Sequence, residues 1–142
     1  MKKGWNSSLT NSAAETISLG IEISSLLEKG DILTLNGELA SGKTTFVKGI
    51  LEGLDFIEDV TSPTFTLVNE YHAKFTVVHI DAYREDDLNR WVEVGFCDYL
   101  NSENIVIIEW ADRIAKLLPE DSIKINFSHQ GDNKRKIMLL DK

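Results

Sequence analysis

A single cysteine, two prolines, and fifteen lysines and arginines set against twenty-three aspartates and glutamates already exclude several kinds of protein. Cys97 has no second cysteine to pair with and no histidine at metal-ligand spacing, so neither an internal disulfide nor a cysteine-based metal site is available. It is expected to be a small buried apolar residue. The formal net charge of −8 leaves no surplus of clustered cations to displace counterions, which argues against a surface that grips nucleic acid by itself. Any role on RNA would then run through a basic partner. Apolar runs are short as well: none approaches membrane-spanning length, and the segment Gly4 to Ala14 after Lys2 and Lys3 is polar, without the apolar stretch of a secretory signal. These absences predict a cytoplasmic protein with no membrane partner. Residues 1–142, with 42% hydrophobic content and neither internal repeats nor low-complexity tracts, read as one domain.

What the chain does contain is Gly37-Glu38-Leu39-Ala40-Ser41-Gly42-Lys43-Thr44, a match to the phosphate-binding pattern GxxxxGK[ST]. Its context is the one the chemistry needs. Ile32 to Leu35 is a short strand-like run, and Phe46, Val47, Ile50, Leu51 and Leu54 recur at helical spacing immediately afterwards. Glycine at both ends lets the loop wrap a phosphate with converging backbone N–H groups at a helix N-terminus. Lys43 adds a mobile cation, and the Thr44 hydroxyl stands where Mg²⁺ bridging the β- and γ-phosphates would sit. Glu38 through Thr45 are thus the candidate nucleotide-binding residues.

The remaining pattern predicts a three-layer α/β fold whose central sheet is mostly parallel and carries antiparallel strands at its edges. Trp5 to Leu9 suits a first strand. Ser12 and Glu15 read as a capping box for a helix that presents Ala13, Ile17, Gly20, Ser24 and Leu27 on one face and stops near Gly30. Pro63 bars a central strand from Thr61 onward, leaving a loop that enters an edge hairpin with Phe75 to Ile80. Asp86 to Leu100 is helical in part. The continuous run Ile105 to Ile108 suits a strand buried on both faces, and Ile123 to Leu140 a terminal hairpin turning at Gly131-Asp132-Asn133.

A phosphate loop also needs acids, and two strand-like runs end in one. Val77-Val78-His79-Ile80-Asp81 and Ile105-Val106-Ile107-Ile108-Glu109 would deliver both carboxylates to the carboxyl ends of the strands, where ligands of doubly wound folds bind. One would hold Mg²⁺ and the other orient the nucleophile; acids at these positions also suit ordinary loop starts. His79 reads as a satisfied core histidine, and Trp110 as either a stacking surface or core.

Taken together, the loop Gly37 to Phe46, the segment Ser62-Pro63-Thr64-Phe65-Thr66-Leu67-Val68, Asp81-Ala82-Tyr83-Arg84 and the pair Glu109-Trp110 resemble, in order, the motifs of the bacterial TsaE family, also called YjeE. The resemblance spans nearly the whole chain. It implies an ATP-binding, weakly hydrolysing protein required for threonylcarbamoylation of tRNA adenosine-37. Thr44 and Glu109 would contact Mg²⁺, Asp81 would be the catalytic or metal-organising acid, Thr64 would respond to the γ-phosphate, and Lys43 would contact the transferring phosphate. Partners would be TsaB-like and TsaD-like proteins, with tRNA met only through them. The resemblance also brings Ser12 to Thr16 towards the adenine, where a plain helix start explains those residues equally well. Ala40 departs from the glycine usual in the family, which is tolerable at negative φ. Glu85 and Asn89-Arg90-Trp91 depart as well, at positions bearing on the partner surface.

Three other readings compete. A small-molecule kinase would share the loop but needs an acceptor pocket and, usually, an arginine-bearing lid, of which no insertion gives a sign. A Ras-like GTPase needs N-K-x-D, and Asn133-Lys134-Arg135-Lys136 lacks the aspartate. The third is a module that ATP merely holds in shape.

Overall fold

The computed structural model describes residues 1–38, 40–60 and 67–140. Leu39 and Thr64, both named as site candidates, and with them most of the Ser62 to Val68 motif, lie outside the described residues.

Seven strands form one sheet in the order β1-β7-β6-β2-β5-β4-β3, with β1 at Ser7–Thr10, β2 at Ile32–Asn36, β3 at Val68–His72, β4 at Thr76–Asp81, β5 at Asn104–Glu109, β6 at Ile123–His129 and β7 at Arg135–Leu140. The four central strands β6, β2, β5 and β4 run parallel, and both edges are antiparallel. Burial on both faces explains the composition of the centre. Leu33 and Leu35 on β2, and Ile105 to Ile108 on β5, are fully buried, alternating between two apolar layers. One layer packs Leu33, Leu35, Ile105 and Ile107 under helices α1 (Ala13–Ser24) and α2 (Lys43–Gly53). The other packs Val106 and Ile108 with Trp91 and Phe96 from the short helices α3 (Leu88–Glu93) and α4 (Phe96–Tyr99), and with Ile114 of a 3-10 helix at Ala111–Leu117. Helices on both sheet faces make the three layers.

The α1–α2 contact matters for the site because α2 carries the loop. Gly20 sits against the α2 backbone, where an added Cβ would lie 2.5 Å from the Phe46 carbonyl oxygen and 2.8 Å from the Gly49 Cα. Gly20, Ser24 and Leu27 of the face read from the sequence are buried, joined by Thr16, Leu19 and Ile23, while Ala13 and Ile21 are exposed. The helix also ends earlier than Gly30, at a Ser25 C-cap. The Ser12 cap is present, its hydroxyl accepting from the Glu15 N–H at 3.1 Å. The return half of the box goes instead to the Asn11 N–H, 3.4 Å from the Glu15 carboxylate.

Cys97 is exposed rather than buried, because α4 turns its Phe96 inward and leaves the next residue on the solvent side. No described helix is long and apolar enough to cross a membrane.

Candidate functional site

The carboxyl ends of β2, β4 and β5 and the N-terminus of α2 meet at a cleft of about 600 Å³. Ala40 to Thr45 form one wall, with Asp81, Tyr83, Arg84, Glu109 and Trp110 opposite. Six of the candidate nucleotide-binding residues and both candidate acids are therefore brought together, although 65 positions separate Thr44 from Glu109. Glu38 differs. Its exposed side chain borders a neighbouring cleft with Asp112 and Asn126, on the other side of Trp110.

Gly42 caps α2 at φ 100°, a left-handed conformation that leaves the first N–H groups of an eleven-residue helix without a side-chain cap. Such an end is a ready anion site, where donors and helix dipole act together. Ser41 Oγ is buried on the same wall, without a hydrogen-bond partner among the described residues. Ala40 has φ 60°, so the condition under which alanine would be tolerated without cost is not met, and the alanine takes a strain of order 1 kcal/mol.

Lys43 is 5% exposed. Its Nζ donates to the Gly37 carbonyl at 2.7 Å and lies 3.7 Å from the Trp110 ring centroid. Burial pushes its pKa below the 10.5 of a free lysine, and the carboxylates of Glu109, Asp81 and Asp112 offset this only in part. The ammonium is thus short of water and suited to an anionic ligand.

The acids sit side by side. Asp81 and Glu109 are register partners on β4 and β5, each 4% exposed. Asp81 Oδ1 accepts the Tyr83 N–H at 2.8 Å, which fixes its rotamer through its own turn. The Thr44 hydroxyl donates to Glu109 Oε2 at 3.2 Å. Among the described residues no group of three or more His, Cys, Asp or Glu could cage a metal. Mg²⁺ keeps several waters and takes one or two protein oxygens alongside the phosphates of its substrate. A hydroxyl against a carboxylate, beside an anion cradle with an unpaired Ser41 hydroxyl, fits that ion.

Trp110 ties the motifs together. Its φ of 60° is a rare conformation for a bulky residue, and it swings the indole over the cleft mouth. There it meets Tyr83 at 4.8 Å between ring centroids, with the Arg113 guanidinium 5.3 Å from the Tyr83 ring. Trp110 is therefore a site wall that also packs, half-buried, against the apolar layer of Trp91 and Phe96.

The far end of the cleft is lined by Ser12, Ala13 and Thr16 of α1 and by Asn133 and Arg135 of the β6–β7 hairpin. Arg135 donates to the Ala40 carbonyl at 3.2 Å. The sequence read Asn133 and Arg135 only as hairpin residues. Nothing local reveals that β6 joins β2 in parallel and so carries the turn to the loop.

A three-layer α/β domain of the P-loop class, with a strand, a glycine-capped helix and two strand-end acids around one cleft, is what fold and site define. Comparison with known proteins narrows the class. The family model described as threonylcarbamoyl adenosine biosynthesis protein TsaE matches residues 10–137. The chain is 39% identical over 131 residues to the Treponema pallidum tRNA threonylcarbamoyladenosine biosynthesis protein TsaE, covering 92% of this chain and 97% of that protein. With the Aquifex aeolicus protein of the same name it shares 36% over 137 residues, covering 94% and 95%. Among solved structures, Bacillus subtilis YdiB superposes with a TM-score of 0.81 at 31% identity, covering 94% of this chain and 82% of that one. The chain belongs to the TsaE family.

Proposed function

We propose that this chain binds ATP with Mg²⁺ in the cleft, hydrolyses it slowly alone, and serves the threonylcarbamoylation of tRNA adenosine-37 together with TsaB-like and TsaD-like proteins. The observation that carries the nucleotide part is the Thr44 hydroxyl at 3.2 Å from the Glu109 carboxylate, at the N-terminus of a helix whose lysine is desolvated. Support for the pathway comes from the names of the relatives.

In this reading the N–H groups at the start of α2 hold the phosphates, Lys43 leaves the Gly37 carbonyl to pair with them, and Ser12, Thr16 and Arg135 border the nucleoside end. Bound Mg²⁺ would be held by Thr44 and Glu109 and would neutralise charge on the terminal phosphates. Asp81, fixed by the Tyr83 N–H, is the acid that orients the attacking water. Thr64 is assigned to sensing the γ-phosphate by family resemblance alone.

Phosphoryl transfer gains greatly from cations placed on the transferring group. Beyond Lys43 the cleft offers Arg135, which donates to a loop carbonyl, and Arg84 of the opposite wall as the candidate for a second cation. Isolated turnover should accordingly be slow, and a partner would supply or align the missing charge. The test is ATP turnover by the purified chain with and without TsaB-like and TsaD-like proteins under tRNA-modifying conditions. Stimulation supports the reading. Fast unassisted turnover, or indifference to the partners, overturns it in favour of a small-molecule kinase, and complex assembly that proceeds equally with a non-hydrolysable analogue favours the ATP-stabilised binding module.

A further inference from the structure

One buried polar side chain is left over from this account. His79 is fully buried on β4, on the same sheet face as Val77, Ile105 and Ile107, where the neighbouring positions are aliphatic. Packing alone calls for another Val or Ile there. Instead the imidazole Nε2 lies 2.5 Å from Glu109 Oε2, while Nδ1 is buried without a hydrogen-bond partner among the described residues. The histidine is therefore not the fully satisfied core residue its sequence setting suggests. It makes one bond, and that bond is to the acid of the cleft.

Which proton makes the bond follows from the two nitrogens. A carboxylate is an acceptor only, so Nε2 must carry the hydrogen. The hydrogen of this bond therefore sits on Nε2, and Nδ1 has no bond among the described residues. The consequence falls on Glu109. Its Oε2 receives both His79 and Thr44, whereas among the described residues Oε1 has a 3.5 Å contact with the Thr44 hydroxyl alone. One oxygen is pinned from beneath, and the other keeps its lone pairs for the cleft.

We infer that His79 is a positioning residue for metal binding: through Nε2–H it holds the Glu109 carboxylate so that Oε1 is presented to a divalent cation or to its water. This rests on the nucleotide·Mg²⁺ reading above. Histidines and carboxylates around metal sites are commonly oriented by such outer partners, and loss of one lowers metal affinity about 10–100-fold.

The test compares His79→Leu, His79→Gln and His79→Asn. Leucine fills the space without a donor. Glutamine places its amide nitrogen about where Nε2 stands, and asparagine places its own nearer Nδ1. The readouts are the Mg²⁺ enhancement of ADP and ATP-analogue affinity by calorimetry and direct Mn²⁺ binding by electron paramagnetic resonance. For His79→Leu we expect Mn²⁺ affinity on the order of 10-fold weaker, with metal-free nucleotide affinity within about threefold of the parent. His79→Gln should restore most of the loss and His79→Asn should not; a packing role would not separate those two amides. Leucine binding Mn²⁺ like the parent, or asparagine rescuing as well as glutamine, refutes the inference. A parent that binds nucleotide without any metal enhancement refutes instead the reading on which it rests. Should the leucine variant not fold, proton–nitrogen correlation of the parent imidazole decides. Hydrogen on Nε2 supports the inference, and hydrogen on Nδ1 alone ends it.

Discussion

Replacing Lys43 with methionine separates affinity from stability, because the two depend on opposite features of the same ammonium. The group is 5% exposed, bonded to one carbonyl and stacked on Trp110. A hydrogen bond from a charged donor contributes about 1.5–3 kcal/mol and a cation–π contact about 0.5–2 kcal/mol. Against these stands desolvation, which dominates the lowered pKa of this lysine. Methionine keeps the length and most of the volume, loses both contacts, and removes the buried charge, so the opposing effects leave a net change of about 1 kcal/mol or less in either direction. For a chain of this size that is a shift in Tm of roughly 2–4 °C. Binding has no such compensation. The variant leaves phosphate charge unpaired in a desolvated cleft, at a cost of about 3 kcal/mol, or on the order of 100-fold in Kd. Calorimetry with Mg·ATP gives the affinity directly. Thermal unfolding with and without nucleotide gives both quantities at once, since ligand at about 100 times Kd stabilises by about 2.7 kcal/mol and the variant should lose this increment. A methionine variant that binds within threefold of the parent refutes the phosphate role. A fall in Tm beyond about 8 °C refutes the reasoning on desolvation.

The same lysine sets a pH dependence: with its folded pKa depressed, the unfolded chain holds the proton more tightly, so the penalty is full below the folded pKa and stability recovers as pH rises towards 10.5. The parent should gain on Lys43→Met across that alkaline window in denaturant melts, and parallel curves would contradict this. Glu109→Gln keeps the shape of the contact with Thr44 and removes the charge, so the Mg²⁺ dependence of nucleotide binding should fall about tenfold or more while Tm changes little; unchanged Mg²⁺ titrations would move the metal role to Asp81. Ala40→Gly relieves a φ of 60° and should stabilise by about 0.5 kcal/mol once the added freedom of the unfolded chain is counted, and a loss of 1 kcal/mol in urea unfolding would contradict the loop conformation. Gly20→Ala drives a methyl group into the α2 backbone and should destabilise by about 1–3 kcal/mol despite its better helix propensity, with nucleotide affinity falling as α2 shifts; a neutral urea curve would show that the helices part freely.

The layers of the fold were legible because burial on both faces writes itself into composition: Ile105 to Ile108 has no polar interruption, and the hairpin strands alternate. The loop was legible because its chemistry fixes four residue types at set spacing within eight positions, Gly37, Gly42, Lys43 and Thr44. What escaped reading depends on contacts between distant segments. The buried face of α1 was read correctly at Gly20, Ser24 and Leu27, but not at Ala13, which faces solvent, nor at Thr16, Leu19 and Ile23, which the approach of α2 buries. Arg135 was missed because its place beside Ala40 follows from the parallel pairing of β6 with β2, which no local pattern encodes. Cys97 was placed inside on residue type, and the short α4 exposes it.

His79 was misread for a related reason, and its geometry shows what the strand-end motif accomplishes. A strand alternates its faces, so the histidine and aspartate of His79-Ile80-Asp81 lie on one side and Ile80 on the other. In parallel pairing Asp81 stands level with Glu109 while His79 lies two residues behind it, level with Ile107. The Glu109 carboxylate thus has a second acid beside it and a donor beneath it. Two adjacent buried carboxylates repel each other and need compensation, which Lys43 supplies through charge and Tyr83, Thr44 and His79 supply through hydrogen bonds. The Lys43 charge and the Thr44 hydroxyl both stand where an arriving nucleotide would engage them, whereas the Tyr83 N–H and the His79 imidazole are fixed by the scaffold. The pair of acids is therefore held from behind by groups of the scaffold and from the front by Lys43 and Thr44, so that under the proposed function a nucleotide could exchange with the front pair without disturbing the strands.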